Sequence, residues 1–149
     1  APGRERAFTG GQMPMSQRTR HAVSESNSAK PLIYAVDDEV MILEMISMVL
    51  EPRGYRVQTF SNPTQALRAF QAAAPRPELV IIDYAMHHIN GMEWIAQCRE
   101  TAPEQKLLLA SGTVGEEIFA DALVKPDRFL AKPFNADLLV ATVRELVGR

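Results

Sequence analysis

Five short strand-like runs, each followed by a polar residue and then by a stretch of helical length, constrain the fold of this chain most strongly. The runs cover residues 32–36, 55–60, 79–82, 106–110 and 129–131. The helical stretches cover residues 40–53, 62–74, 92–101 and 116–123 and continue from residue 136 onward. Regular alternation of strands and helices indicates a parallel sheet with helices on both faces. The sequence therefore predicts an α/β fold, a doubly wound five-stranded parallel sheet with five helices.

Several helix ends carry the signals that helix termini prefer. Gly54 follows the first helix as a C-cap. Asn62 is the expected N-cap of the second helix, with Pro63 at the first helical position and Gln65 completing a capping box. Asn135 caps the last helix. These signals place the helix boundaries independently of the strands.

The first 30 residues differ in composition from the rest of the chain. Residues 1–30 are rich in Gly, Ser, Arg, Gln and Asn and show no periodicity, which predicts a flexible tail, linker or tag remnant before one domain over residues 31–149. They hold five Lys and Arg against two Glu, hence +3, and the whole chain carries −2, which leaves about −5 for the domain. An acidic domain binds nucleic acid poorly, so we predict no nucleic-acid partner.

Two further features of the sequence bear on the cellular compartment in which the protein resides. No apolar run approaches the roughly 20 residues that span a bilayer, and no signal-peptide pattern opens the chain. The single cysteine, Cys98, has no partner for an intrachain disulfide and follows Trp94 by four residues, which favours packing over redox chemistry. We expect a cytoplasmic protein without membrane contact.

The chemically distinctive residues stand at predicted strand ends. Asp37 and Asp38 follow the first strand, Asp83 ends the third, Ser111 the fourth, and Lys132 follows the fifth. Ligands of such sheets bind beyond the carboxyl ends of the strands, so these side chains should converge. Three close carboxylates stay ionised around a hard cation such as Mg²⁺. A lysine and a hydroxyl beside them would neutralise a phosphoryl group, which indicates phosphoryl transfer to a carboxylate.

This pattern resembles the receiver domain of two-component response regulators over about four fifths of the chain. The matching residues, in order along the chain, are Asp37, Asp38, Asp83, Met86, Gly91, Ser111, Lys132, Pro133 and Phe134. The resemblance implies a flavodoxin-like sheet with strand order 2-1-3-4-5. It also implies a switch domain, not a turnover enzyme, that catalyses phosphotransfer to its own aspartate.

The resemblance assigns roles at the metal and phosphoryl site. Asp83 is the expected phosphoacceptor and Lys132 the residue that binds the phosphoryl group. Asp38, Asp83 and the backbone carbonyl of Ala85 are the expected direct Mg²⁺ ligands, and Asp37 is expected to hold the metal through water.

The resemblance also implies a switch and partners. Ser111 is the expected switch hydroxyl, Phe129 the aromatic that turns inward with it, and Pro133 is expected to follow a cis peptide bond. A histidine kinase or histidine phosphotransfer protein would donate the phosphoryl group. An unknown output protein would bind the face of the fourth predicted helix, fifth strand and fifth helix. Many receivers dimerise through that face, so a homodimer remains open.

Some positions depart from the family pattern. His87 replaces a proline that is common four residues after the acceptor. Ala85 and Thr113 occupy two positions that influence attack of water on the phosphoaspartate, and neither is an acid or amide that would position water. We therefore predict slow to intermediate autodephosphorylation.

Alternatives accompany these predictions. A degenerate receiver acting as a constitutive interaction scaffold is the main one, and a small phosphatase is disfavoured because Ala85 stands where such enzymes place a second acid. The pair His87 and His88 suggests ordinary loop residues more than a transition-metal site.

The first predicted helix is rich in methionine, with Met41, Met45 and Met48 beside Ile42, Ile46 and Val49. These side chains cannot all face the core. Some methionines are therefore expected to be exposed beside the site, where a phosphodonor helix would dock on them.

Overall fold

A five-stranded parallel sheet forms the centre of the protein. The structure, a computed structural model, describes residues 30–149, so the predicted tail lies outside the described residues except for Lys30. The strands are β1 (Leu32–Val36), β2 (Arg56–Phe60), β3 (Leu79–Asp83), β4 (Leu107–Ser111) and β5 (Arg128–Ala131). They are hydrogen-bonded in the order β2-β1-β3-β4-β5, which confirms the predicted topology.

Within residues 30–149, four α-helices cover the two faces of the sheet. They are α1 (Val40–Leu50), α2 (Pro63–Ala72), α3 (Gly91–Thr101) and α4 (Ala136–Val147). Alternate residues of each strand point to opposite faces. Ile33 and Ile81 accordingly pack with α1 and α4 in one core, whereas Val80 and Ile82 pack with α2 and α3 in the other. The parallel pairing of β1 with β3 places the carboxyl ends of these two strands side by side between the two cores.

The helix boundaries follow the predicted signals with two differences. After α1, the chain continues as a 3₁₀ helix over Glu51–Arg53, and this helix ends at Gly54. The φ of Gly54 is 99°, which suits a residue without a Cβ. Asn62 caps α2 by accepting hydrogen bonds from the N–H groups of Thr64 and Gln65. The reciprocal capping box lies instead at α3, between Asn90 and Glu93.

The fourth predicted helix is absent as an α-helix. Residues 116–123 were expected to be helical, but the structure has a 3₁₀ helix over Glu116–Phe119 followed by turns. The described residues therefore contain four α-helices where five were predicted. Leu123 is fully exposed there, and Ile118 and Phe119 are only partly buried, so no apolar side chain of this segment is fully buried to stabilise a regular helix. Within residues 30–149, none of the helices has the length and apolar character needed to cross a bilayer.

Candidate functional site

Three charged side chains meet beyond the carboxyl ends of β1, β3 and β5. The Lys132 Nζ lies 2.8 Å from Asp37 Oδ2 and 3.0 Å from Asp83 Oδ1. The two carboxylates are buried, and the lysine side chain is 13% exposed. Asp38 lies beside them, and one oxygen from each of the three aspartates falls within 4.8 Å of the others. The structure thus brings together four of the residues that the sequence placed at strand ends.

The backbone fixes these side chains through the sheet ladder. The N–H of Asp37 donates to the carbonyl of Phe60, 3.1 Å away, so β2 holds the end of β1. The N–H of Lys132 donates to the carbonyl of Ser111, 2.8 Å away, so β4 holds the residue after β5. Because these bonds lie at the ends of paired strands, the positions of the charges depend on the whole sheet.

Burial dominates the acid–base properties of the site. It raises the pKa of Asp83 to about 6, against the lowering effect of the Lys132 hydrogen bond and with the help of the charge on Asp37. Burial also raises the pKa of Asp37. Burial lowers the pKa of Lys132, but its hydrogen bonds to Asp37 and Asp83, together with the negative charges of these aspartates, outweigh burial and hold the pKa above its usual value. Even beside the Lys132 ammonium, the two buried carboxylates are therefore costly to ionise together without a metal cation.

A cavity of about 300 Å³ opens onto this cluster. Its lining residues are Asp38, Glu39, Asp83, Ala85, Gly112, Thr113 and Lys132. Carboxylate and carbonyl oxygens are the ligands that Mg²⁺ prefers, and Mg²⁺ keeps several waters. Three clustered aspartates beside an open cavity fit that requirement, with space for water and for a phosphoryl group.

Ser111 and Phe129 lie outside the lining of this cavity. The Ser111 Oγ accepts hydrogen bonds from the N–H groups of Thr113 and Val114, at 3.1 and 3.0 Å, and lies 3.3 Å from the Thr113 hydroxyl. Phe129 is partly buried, with its ring centroid 6.1 Å from that of Phe119. In this conformation the Ser111 hydroxyl is engaged with its own loop.

Two contacts at the site were not anticipated from the sequence. The His87 Nδ1 lies 3.0 Å from Asp38 Oδ2, although the histidine is 83% exposed. Glu39 Oε1 lies 3.5 Å from Lys132 Nζ. The sequence signal for Glu39 was its place directly after two aspartates. Among the described residues, the group of three potential metal ligands within 4.8 Å of one another contains neither His87 nor His88.

Gly91 allows the β3 end to lie close to α3. A Cβ at this position would lie 2.6 Å from the Asp83 carbonyl oxygen and 2.7 Å from Leu109 Cδ1. The N–H of Gly91 donates to the carbonyl of Tyr84, 2.8 Å away. The close approach explains why glycine is needed at the start of α3. The Lys132–Pro133 peptide bond beside the site is cis.

The methionines of α1 divide between core and surface. Met41 is 81% exposed and Met48 75% exposed, whereas Met45 packs partly buried against the core. Met48 also lines a surface cavity of about 470 Å³ with Val40, Ser47 and Thr59. The expected exposure of some α1 methionines is confirmed.

Comparison with known proteins places this geometry in a family. The model of the family described as response regulator receiver domain matches residues 33–144. Response regulator Rre1 of Synechocystis sp. is 35% identical over 127 residues, covering 81% of this chain and 54% of that protein. The alkaline phosphatase synthesis transcriptional regulatory protein SphR of Synechococcus elongatus is 28% identical, covering 95% of this chain and 58% of that protein. The chain spans about half the length of the curated relatives it matches.

Solved structures agree with this family. The chemotaxis protein CheY4 of Vibrio cholerae is 28% identical with a TM-score of 0.72, covering 78% of this chain and 98% of that chain. The response regulator TrrA of Thermotoga maritima, solved in complex with Mg²⁺–BeF, is 30% identical with a TM-score of 0.68 and the same coverage.

Proposed function

Because the chain belongs to the response regulator receiver domain family, we propose that Asp83 accepts a phosphoryl group from a histidine kinase or a histidine phosphotransfer protein. The observation that carries the proposal is the contact of Lys132 Nζ with Asp37 and Asp83 at one open cavity. The proposal places the exchange in the cytoplasm, where the two-component resemblance implies that donor and receiver meet.

The chain's own residues supply positioning and charge neutralisation. A bond from an Asp83 carboxylate oxygen to phosphorus forms as the bond between phosphorus and the donor atom breaks. Lys132 is already 3.0 Å from Asp83, so its ammonium would reach an oxygen of the incoming group without a large movement. Such preset charge lowers the barrier because little reorganisation is needed during the reaction.

Mg²⁺ is the cofactor that the donor set supports. Asp38, Asp83 and the Ala85 carbonyl would hold it directly, and Asp37 through water. The bound cation would neutralise charge on the phosphoryl oxygens. The relative solved with Mg²⁺–BeF supports this assignment.

Phosphorylation would act as a switch through Ser111 and Phe129. The phosphoryl group adds about 1.5 to 2 negative charges at pH 7. That charge would attract the Ser111 hydroxyl away from Thr113 and allow Phe129 to turn inward. The partly buried cluster of Phe119 and Phe129 would repack, and an output protein that binds this face would respond. Several relatives, SphR among them, are named as transcriptional regulatory proteins, but the acidic excess of residues 31–149 favours a protein partner here.

The direct test uses a small phosphodonor. Wild-type protein incubated with acetyl phosphate and Mg²⁺ is expected to gain the mass of one phosphoryl group, measured by intact mass spectrometry, and the adduct should be acid-stable and base-labile.

After the donor is removed, the adduct should persist for minutes, because Ala85 and Thr113 do not position an attacking water. Decay within seconds would contradict that lifetime.

The alternative hypothesis, a degenerate receiver that acts as a constitutive interaction scaffold, predicts the opposite results. It would gain no mass from acetyl phosphate, would fail to bind beryllofluoride and would stay unmodified by donor kinases. That combined result would replace the phosphoacceptor proposal with a constitutive interaction domain.

The exposed α1 methionines are the surface on which we propose that the donor protein docks. Met48→Ala should slow transfer from a cognate donor protein roughly three- to tenfold, because truncating an exposed interface side chain removes apolar contact. The same variant should react normally with acetyl phosphate, which needs no docking surface. Rates that are unchanged with both donors would remove α1 from the docking surface.

A further inference from the structure

Glu39 places a fourth carboxylate at the mouth of the site. Its Oε1 lies 3.5 Å from Lys132 Nζ, and its side chain is 67% exposed. It lines the same cavity as Asp38 and Asp83. The roles proposed above for metal binding, phosphoryl transfer and switching make no use of it.

Side-chain capping of α1 does not account for a glutamate at this position. Glu39 is the N-cap of α1, but its side chain makes no capping hydrogen bond. Ser, Thr, Asp and Asn are the preferred N-caps, and asparagine side chains cap α2, α3 and α4 in this protein. A residue that departs from a local rule followed elsewhere in the chain points to a functional constraint.

The backbone of Glu39 is held in place while its side chain remains in solvent. Its N–H donates to Asp37 Oδ1, 2.9 Å away, and its carbonyl accepts from Ile42 at the start of α1. The carboxylate therefore stays at the entrance of the cavity, and only its own rotamers move it.

Glu39 opposes small anions in two ways. Lys132 contacts three carboxylates, and its contact with Glu39 is the longest and the most exposed of them. Glu39 thus competes with an incoming phosphoryl oxygen for the same ammonium. Its negative charge also repels an anion that enters the cavity, and the repulsion grows with the charge of that anion.

We propose that Glu39 is a specificity-determining residue that disfavours phosphorylation of Asp83 by small, highly charged donors relative to a protein donor. The inference rests on the proposed function. A protein donor offsets the repulsion because contacts elsewhere, such as those with exposed α1 side chains, contribute to its binding. A free anion has no such contacts, so it experiences the full effect of the carboxylate.

The test compares Glu39→Gln with wild type and with Glu51→Gln, an exposed glutamate directly after the far end of α1. Initial rates of mass gain are measured with acetyl phosphate, a dianion at neutral pH, and with phosphoramidate, which carries less net negative charge. Mg²⁺ is kept saturating, and each rate is measured at low and high ionic strength. Glu39→Gln should react roughly three- to tenfold faster with acetyl phosphate at low salt, with a smaller gain for phosphoramidate. Added salt should reduce both gains.

Other outcomes distinguish failure of the inference about Glu39 from failure of the proposed phosphoacceptor function. Slower reaction of Glu39→Gln with both donors would show that the glutamate positions Lys132, which overturns the inference. Unchanged rates would also overturn the inference, and so would a gain in rate that is independent of donor charge and salt. If wild type reacts with neither donor and does not bind beryllofluoride, the proposed function itself fails. Equal unfolding midpoints for Glu39→Gln and wild type would establish that the rates report on the site and not on folding.

Discussion

When Asp83 is replaced by Asn, the protein is expected to take up no phosphoryl group from acetyl phosphate at any Mg²⁺ concentration. The amide is a far weaker nucleophile than the carboxylate, and one of the proposed metal ligands is weakened with it. Intact mass spectrometry should show loss to background over the time in which wild type is modified completely. Asp121→Asn, which changes an exposed aspartate outside the site, should leave the mass gain intact. Modification of Asp83→Asn at the wild-type rate would mean that another carboxylate, such as Asp38, is the acceptor.

The same substitution should stabilise the metal-free protein. Burial raises the pKa of Asp83 to about 6, against about 3.9 in an unfolded chain. The folded protein therefore binds the proton more tightly, and the wild type should lose stability as pH rises from about 4 to about 6. Two pKa units correspond to roughly 3 kcal/mol. Because water reaches the cavity, we expect a smaller gain for Asp83→Asn at pH 7, about 1–2 kcal/mol.

Urea unfolding at several pH values measures this difference. The free energies of unfolding of wild type and Asp83→Asn should converge near pH 4 and separate above pH 6. Millimolar Mg²⁺ should then stabilise wild type, since a ligand that binds only the folded state raises stability, and should have a much smaller effect on the variant. A variant that is less stable than wild type at pH 7 without metal would contradict the cost assigned to clustered carboxylates.

Gly91→Ala should produce the largest loss of stability among substitutions near the site. The added Cβ would lie 2.6 Å from the Asp83 carbonyl oxygen and 3.0 Å from Tyr84 Cα. Neither backbone atom moves easily, because the N–H of Tyr84 is bonded to the Ala110 carbonyl, 2.9 Å away. Overpacking of this kind costs about 2–3 kcal/mol, which would lower the melting temperature by roughly 10 °C. Displacement of the β3 end should also slow phosphorylation in the fraction that folds.

Gly112→Ala is the matched control at the end of the neighbouring strand. Its added Cβ would lie 3.4 Å from Lys132 Cβ, which is an ordinary contact. We expect stability within about 0.5 kcal/mol of wild type. Thermal and urea unfolding of both variants measures whether Gly91→Ala is destabilised more than Gly112→Ala. Equal destabilisation would show that loss of a glycine near the site, and not the clash at Gly91, is responsible.

Local sequence signals determined most of the fold. Each β-strand boundary lies within one residue of its prediction, because a short apolar run between polar residues has few other stable placements in a parallel sheet. Asn62, Asn135 and Gly54 marked helix ends through hydrogen bonds and backbone angles that involve only nearby residues. The prediction of a fourth α-helix was wrong because none of its apolar side chains is fully buried, and burial is not visible in a local pattern.

The chemistry shows the same division. Alternating strands and helices bring all carboxyl strand ends to one edge, so the sequence alone determined that Asp37, Asp83 and Lys132 would be neighbours. Only the tertiary structure decided the contacts among them, because residues about a hundred positions apart meet through sheet pairing and two packed cores. It decided that Lys132 contacts Glu39 as well as the two buried aspartates, and that His87 pairs with Asp38. It also decided that the Ser111 hydroxyl is engaged with its own loop, since that depends on side-chain rotamers within the folded loop.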